Sequence, residues 1–178
     1  GQDYFKDVSD RIKRESEDKG RLKIPTIFAS HNRNLEGGLC RKEFAMVAAP
    51  PGVGKSLYLV NQGASAVVSG KNVLYISLEM SQDKIAARFD SVLSDLSSRD
   101  LKEKPLVKIK LKERLNEIRD KSRGRLIIKE FPTGAMNVNQ LRAYLVQLKL
   151  HSNFTPDLII VDYLELLRPN RIIDSEYQ

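Results

Sequence analysis

Eight consecutive residues, Ala49-Pro50-Pro51-Gly52-Val53-Gly54-Lys55-Ser56, combine small side chains, an amine and a hydroxyl in an order suited to gripping a polyphosphate. An apolar run, Phe44 to Ala48, leads in, and a helical pattern of Leu57, Leu59 and Val60 leads out. Strand, small-residue loop and helix are the context a phosphate loop requires. Such a loop turns successive backbone N–H groups inward as an anion nest, with the positive end of the next helix aimed at the same place. Gly52 and Gly54 let backbone approach phosphate oxygens without an intervening Cβ. Lys55 suits the β- and γ-phosphates and Ser56 suits Mg²⁺, while Leu57 closes the candidate nucleotide-binding stretch Ala49 to Leu57. The usual first glycine is replaced by Ala49, which is still small. The competing reading, a Gly/Pro-rich turn that happens to precede Lys-Ser, leaves the flanks unexplained. The stretch therefore implies binding of ATP or another nucleoside triphosphate with Mg²⁺.

Two acids fall where phosphate chemistry would use them. Leu158-Ile159-Ile160-Val161-Asp162 is an apolar run ending in a carboxylate. At the carboxyl edge of a parallel sheet, Asp162 would lie near the phosphate loop and hold Mg²⁺ directly or through water. A strand-end aspartate satisfied by a nearby backbone N–H is the plainer alternative. Val73 to Leu78 likewise runs into Glu79. Two roles fit Glu79: polarising the water that attacks the γ-phosphorus, or placing negative charge at the start of the next helix, which the helix dipole favours. The spacing alone does not choose between them. Glu165, three residues past Asp162, is a weaker candidate for the same chemistry.

The elements that must position these groups are legible as patterns. Four short, nearly continuous apolar runs, Glu43–Ala49, Asn72–Leu78, Arg125–Phe131 and Leu158–Asp162, read as buried parallel strands. Helical patterns separate them. One covers Lys55–Ser69; a second starts at an N-cap Ser81 and carries Ile85, Phe89, Val92 and Leu96. A third bears Leu111, Leu115 and Ile118, and a fourth, begun near Asn137, bears Val138, Leu141, Leu145 and Leu148. Strands alternating with helices predict an α/β fold with a mostly parallel sheet flanked by helices. Before them, Phe5, Val8 and Ile12 share a narrow stripe on a charged helix that ends near Gly20, and residues from Arg21 to Arg41 read as irregular.

Composition narrows the classes further. A chain of 178 residues with 41% hydrophobic side chains can form one domain with a real core. A formal net charge of +7 suits a polyanionic partner without proving one. The single cysteine, Cys40, excludes an intrachain disulfide and suits a reducing compartment. His31 and His151 stand without companions at metal-ligand spacing. No apolar run approaches spanning length, so a soluble, cytoplasmic protein with no membrane partner is expected.

Taken together, the phosphate loop Ala49 to Ser56, the run Ile76-Ser77-Leu78-Glu79-Met80-Ser81 and the run Ile160-Val161-Asp162-Tyr163-Leu164-Glu165-Leu166 resemble the ATPase domain of DnaB-type replicative helicases. The segment from Ile24-Pro25-Thr26 to Leu35-Glu36-Gly37-Gly38-Leu39 is similar to that family's lead-in to its first core strand. The resemblance covers most of the chain from Ile24 onward. It implies a RecA-like core, ring assembly (a hexamer), and NTP-driven movement on single-stranded DNA in a bacterial or phage-infected cell. By position, Lys55 and Glu79 would be catalytic, and Ser56 and Asp162 would hold the metal. Residues 1–23 would be a linker-like helix that docks on a neighbouring subunit, and residues 24–178 the ATPase core. The chain stops where the family continues into further strands, a sensor residue, DNA loops and an arginine finger. This piece would therefore bind nucleotide better than it hydrolyses it. Primase and a helicase loader are the further partners the resemblance brings.

In the related helicases the loop after the strand-end aspartate faces a central channel, and here it contains Arg168, Asn170 and Arg171. Such side chains can track phosphates without reading bases, and no interleaved aromatic indicates stacking. The denser basic run from Lys102 to Arg125 also carries Glu103, Glu113, Glu117 and Asp120, the pattern of an ion-paired solvated face. Two other classes of function use the same residues: a RecA-like recombinase or signalling ATPase that assembles without unwinding, and a nucleotide-binding module that does not hydrolyse.

Overall fold

The computed structural model describes residues 4–10, 12–13 and 23–169. It forms two compact units, Gly1–Met46 and Val47–Gln178. In the first, residues 8–10 and 12–13 have helical backbone, and Phe5 and Ile12 are exposed. Gly20 lies outside the described residues. The stretch expected to be irregular is cross-tied. Ile24 and Leu39 exchange two backbone hydrogen bonds of 2.9 Å each, a single antiparallel bridge. Within that loop runs a short helix α1 (Ala29–Asn34). The Asn32 amide locks the turn, accepting from Thr26 N at 2.7 Å and donating to Thr26 O at 2.8 Å.

The second unit is built on three parallel strands, β1 (Val73–Ser77), β2 (Leu126–Glu130) and β3 (Leu158–Asp162), in the order β2-β1-β3. Helix α2 (Lys55–Val68) precedes β1. Helices α3 (Gln82–Ser94), α4 (Ser98–Glu103) and α5 (Pro105–Ser122) link β1 to β2, and α6 (Val138–Ser152) links β2 to β3. Each strand opens as an unbroken apolar run, the pattern expected where both faces are covered, although β2 and β3 are only partly buried. Central β1 is buried at every residue. Its even-numbered side chains, Leu74 and Ile76, join Leu78, Met136, Phe154 and Leu148 of α6 in one core cluster. Its odd-numbered Tyr75 meets Phe89 of α3 edge-on. Gly63 of α2 sits against Phe89 and Ile160 on that side. Period-2 alternation along β1 thus divides the helices between the two faces of the sheet.

Two differences from the sequence pattern stand out. The run Glu43–Ala49 forms no strand, and Phe44, Met46 and Val47 are exposed. A strand is defined by a ladder, and this run, although its side chains favour one, pairs with nothing among the described residues. The helix start at Ser81 is also held differently. Ser81 has extended N-cap geometry but no capping bond from its side chain. The Gln82 amide donates instead to Glu130 Oε2 at 2.8 Å, so a carboxylate from β2 caps α3. The start near Asn137 is as read: Asn137 and Gln140 form a reciprocal capping box at 2.9 and 2.8 Å. In α5, Leu111, Leu115 and Ile118 are half-buried beneath a charged outer surface, with Lys121–Glu117 paired at 3.5 Å.

Candidate functional site

At the phosphate loop, Gly52 and Gly54 have φ of 79° and 106°, conformations a side chain resists, and Gly54 is the left-handed N-cap of α2. A Cβ on Gly52 would meet nothing within 4 Å, so the loop is open on that side. The first backbone donor of α2 with an acceptor is Tyr58, to Gly54 O at 2.9 Å. Among the described residues, the amides of Gly52 through Leu57 have no recorded acceptor. A row of spare N–H groups at the positive end of a 14-residue helix fits an anion. Pro50, Pro51, Gly52 and Val53 are exposed, while Lys55 and Ser56 are half-buried. The Lys55 ammonium donates to the Ala49 carbonyl at 2.7 Å, closing the loop on itself.

The same ammonium lies 5.9 Å from the centre of the Tyr163 ring, beside the exit of β3. Tyr163 follows Asp162, which is only 1% exposed. Tyr75, fully buried, donates its hydroxyl to Asp162 Oδ2 at 2.7 Å. Register explains this contact: Tyr75 is opposite Ile160, so Asp162 is its diagonal neighbour on the same face. Burial, then the adjacent Asp162 charge and hydrogen bond, push the Tyr75 phenol well above its usual range, with Arg88 of α3 opposing. The phenol therefore stays a proton donor to the carboxylate at any ordinary pH.

Glu79 lies just beyond β1 and is exposed. The turn that carries it is clamped on both sides. Leu78 N donates to Asp162 O at 2.8 Å, and Thr133 Oγ1 donates to Leu78 O at 2.9 Å. Ser77 Oγ donates to Met80 O at 2.6 Å and accepts from Met80 N at 3.1 Å. Sequence patterns pointed to Lys55, Ser56, Glu79 and Asp162, and the fold gathers the first loop and both strand ends at one edge of the sheet. They missed Tyr75 and Thr133, whose polar atoms matter only through partners far along the chain, and Ser77, whose hydroxyl closes the turn at Met80. The one available signal was a tyrosine inside an otherwise aliphatic run. Arg168 is exposed, its backbone N–H bound to Met136 O at 2.8 Å. Asn170 and Arg171 lie outside the described residues. Among the described residues no helix is long and apolar enough to cross a membrane.

A parallel sheet whose carboxyl edge carries a glycine-bent loop, the amino end of a helix and a buried strand-end aspartate defines a RecA-like phosphate-loop NTPase fold. Residues 23–178 match the family model of the DnaB-like helicase C terminal domain, and the chain belongs to that family. It is 38% identical over 151 residues to a DnaB-like replicative helicase of Enterobacteria phage T4, covering 84% of this chain and 32% of that protein. The replicative DNA helicase DnaB of Geobacillus stearothermophilus is 27% identical over 146 residues, 82% of this chain and 31% of its own length. The chain thus spans about a third of these relatives. Among solved structures, a DnaB-like replicative helicase described with its primase interactions superposes with a TM-score of 0.72 at 21% identity, over 98% of this chain and 42% of that one. A second solved chain, described as an ATPase domain, superposes at 0.70 with 23% identity, over 94% of this chain and 59% of its own.

Proposed function

We propose that this chain is the ATPase motor of a replicative DNA helicase, coupling NTP hydrolysis to movement on single-stranded DNA. The observation that carries the reading is the juxtaposition just described: spare amides and Lys55 at the mouth of α2, within reach of the strand end that carries Asp162, with the Glu79 turn hydrogen-bonded to that same strand end. Lys55 and the loop from Ala49 to Leu57 hold the triphosphate, Ser56 and Asp162 hold Mg²⁺, and Glu79 orients and deprotonates the attacking water. When bound, the metal supplies charge neutralisation on the phosphates. The clamped turn supports the Glu79 role, since a base must be held within hydrogen-bond reach of its water.

Assembly as a ring, with residues 1–23 as a linker to a neighbour and residues 24–178 as the motor core, belongs to this reading. So do contact of Arg168, Asn170 and Arg171 with DNA phosphates, action in a bacterial or phage-infected cytoplasm, and primase or loader partners. A DNA repair protein RadA of Rickettsia conorii is 41% identical, but over only 68 residues, 38% of this chain. The family match over residues 23–178 favours the helicase over a recombination ATPase that does not unwind. Two measurements test the proposal. Glu79→Gln should abolish ATP turnover by the intact protein while nucleotide binding persists. Strand displacement on forked DNA should require hydrolysable nucleotide and a free single strand. Turnover surviving Glu79→Gln would remove the base assignment, and hydrolysis without displacement would favour the non-unwinding alternative.

A further inference from the structure

We propose that Tyr75 is a positioning residue for Asp162, holding one carboxylate oxygen so that the other is presented to the metal. The inference rests on the reading above, in which Asp162 serves a Mg²⁺–nucleotide complex. A carboxylate that is 1% exposed must be tied down, because an unpaired buried charge is costly. The Tyr75 hydroxyl is the donor recorded to its side chain among the described residues, and it takes Oδ2. No buried side-chain oxygen among them lacks a partner, so the little exposure Asp162 retains falls on Oδ1.

The tyrosine is itself packed on all sides. Its ring is fully buried in central β1 and meets Phe89 at 5.6 Å and 90°. Ser77, directly opposite Asp162 in register, cannot substitute, because its hydroxyl is engaged by Met80. A rigid phenol therefore fixes the aspartate rotamer from the protein side. Partners of metal-binding groups act this way: they orient a ligand without touching the ion. A tyrosine in a strand of Val, Leu and Ile has no packing reason to carry its hydroxyl. Its hydrogen bond to Asp162 supplies one.

The test compares binding of a fluorescent ATP analogue to the intact protein in EDTA and across a Mg²⁺ titration. In wild type, Mg²⁺ should strengthen binding. Tyr75→Phe keeps the ring and its packing on Phe89. It should leave affinity in EDTA within about twofold and raise the half-saturating Mg²⁺ about 10- to 100-fold, the range for losing such a partner. In the Asp162→Asn background, adding Tyr75→Phe should change nothing further. An unchanged Mg²⁺ requirement in Tyr75→Phe overturns the proposal. So does an equal loss in EDTA, or a variant that fails to fold, since each would make the bond purely structural. Absence of Mg²⁺-dependent binding in wild type would instead remove the ATPase reading on which the proposal stands.

Discussion

The phosphate loop and the aspartate at the end of β3 lie at the same edge of the sheet, yet they are built in opposite ways. The loop is exposed from Pro50 to Val53, bends through two glycines at positive φ, and keeps unclaimed amides. Asp162 is buried, held by a side-chain hydrogen bond of 2.7 Å from Tyr75 of β1 and a backbone one of 2.8 Å from Leu78 just beyond it. The first region stores unused hydrogen-bonding capacity along its backbone; the second has one carboxylate oxygen and its carbonyl already tied. A ligand would complete the loop, whereas the acid is ready beforehand. That division suits the proposed site, in which a metal ligand must not wander while an anion cradle must admit a large polyanion.

Three substitutions sharpen or break this contrast. The largest effect is expected from Lys55→Ala, which removes the only cation in the loop. ATP turnover should fall on the order of 100- to 1,000-fold, as when one charge-stabilising group is deleted, with thermal unfolding nearly unmoved. A large drop in melting temperature would mean that the Lys55–Ala49 bond supports the fold and that the loop is not the loose partner. Next comes Gly63→Ala on the rigid side. Its Cβ would lie 3.0 Å from Phe89 Cζ and 3.2 Å from Ile160 Cδ1, so crowding of about 1–3 kcal/mol, against about 1 kcal/mol gained in helix propensity, should leave a net loss in denaturant unfolding. Full stability would show that the packing behind Tyr75 yields. Smallest is Gly52→Ala, where there is space but the φ of 79° opposes a side chain. About 1 kcal/mol of strain is expected, read as weaker nucleotide binding and a melting shift below that of Gly63→Ala. The reverse ranking of the two glycine variants would invert the comparison.

How far the sequence carried depended on whether a feature is local. The runs at Val73, Leu126 and Leu158 became strands because each opens with consecutive apolar β-branched and aliphatic residues, although only β1 is buried throughout. The capping box at Asn137 and the glycine-bent loop are contained within a few residues, so both could be read directly. Glu43–Ala49 has equally strand-like side chains, but pairing requires a neighbour that no composition can name. The Tyr75–Asp162 bond was illegible for a related reason. It joins residues 87 apart and exists only because the register sets Tyr75 opposite Ile160. Glu130 capping α3 is another such long-range accident of topology. Candidate reactive residues could be listed from spacing; the groups that aim them could not.

Among the described residues strand β3 is paired on one flank, with β1, and Ile159 on it is 39% exposed. Peptide groups along its other flank, uncovered by any strand among the described residues, form a template onto which foreign backbone can zip. Handling of this polypeptide at high concentration should accordingly be governed by stickiness along that seam, visible as light scattering that climbs with protein concentration, rather than by any weakness of its interior.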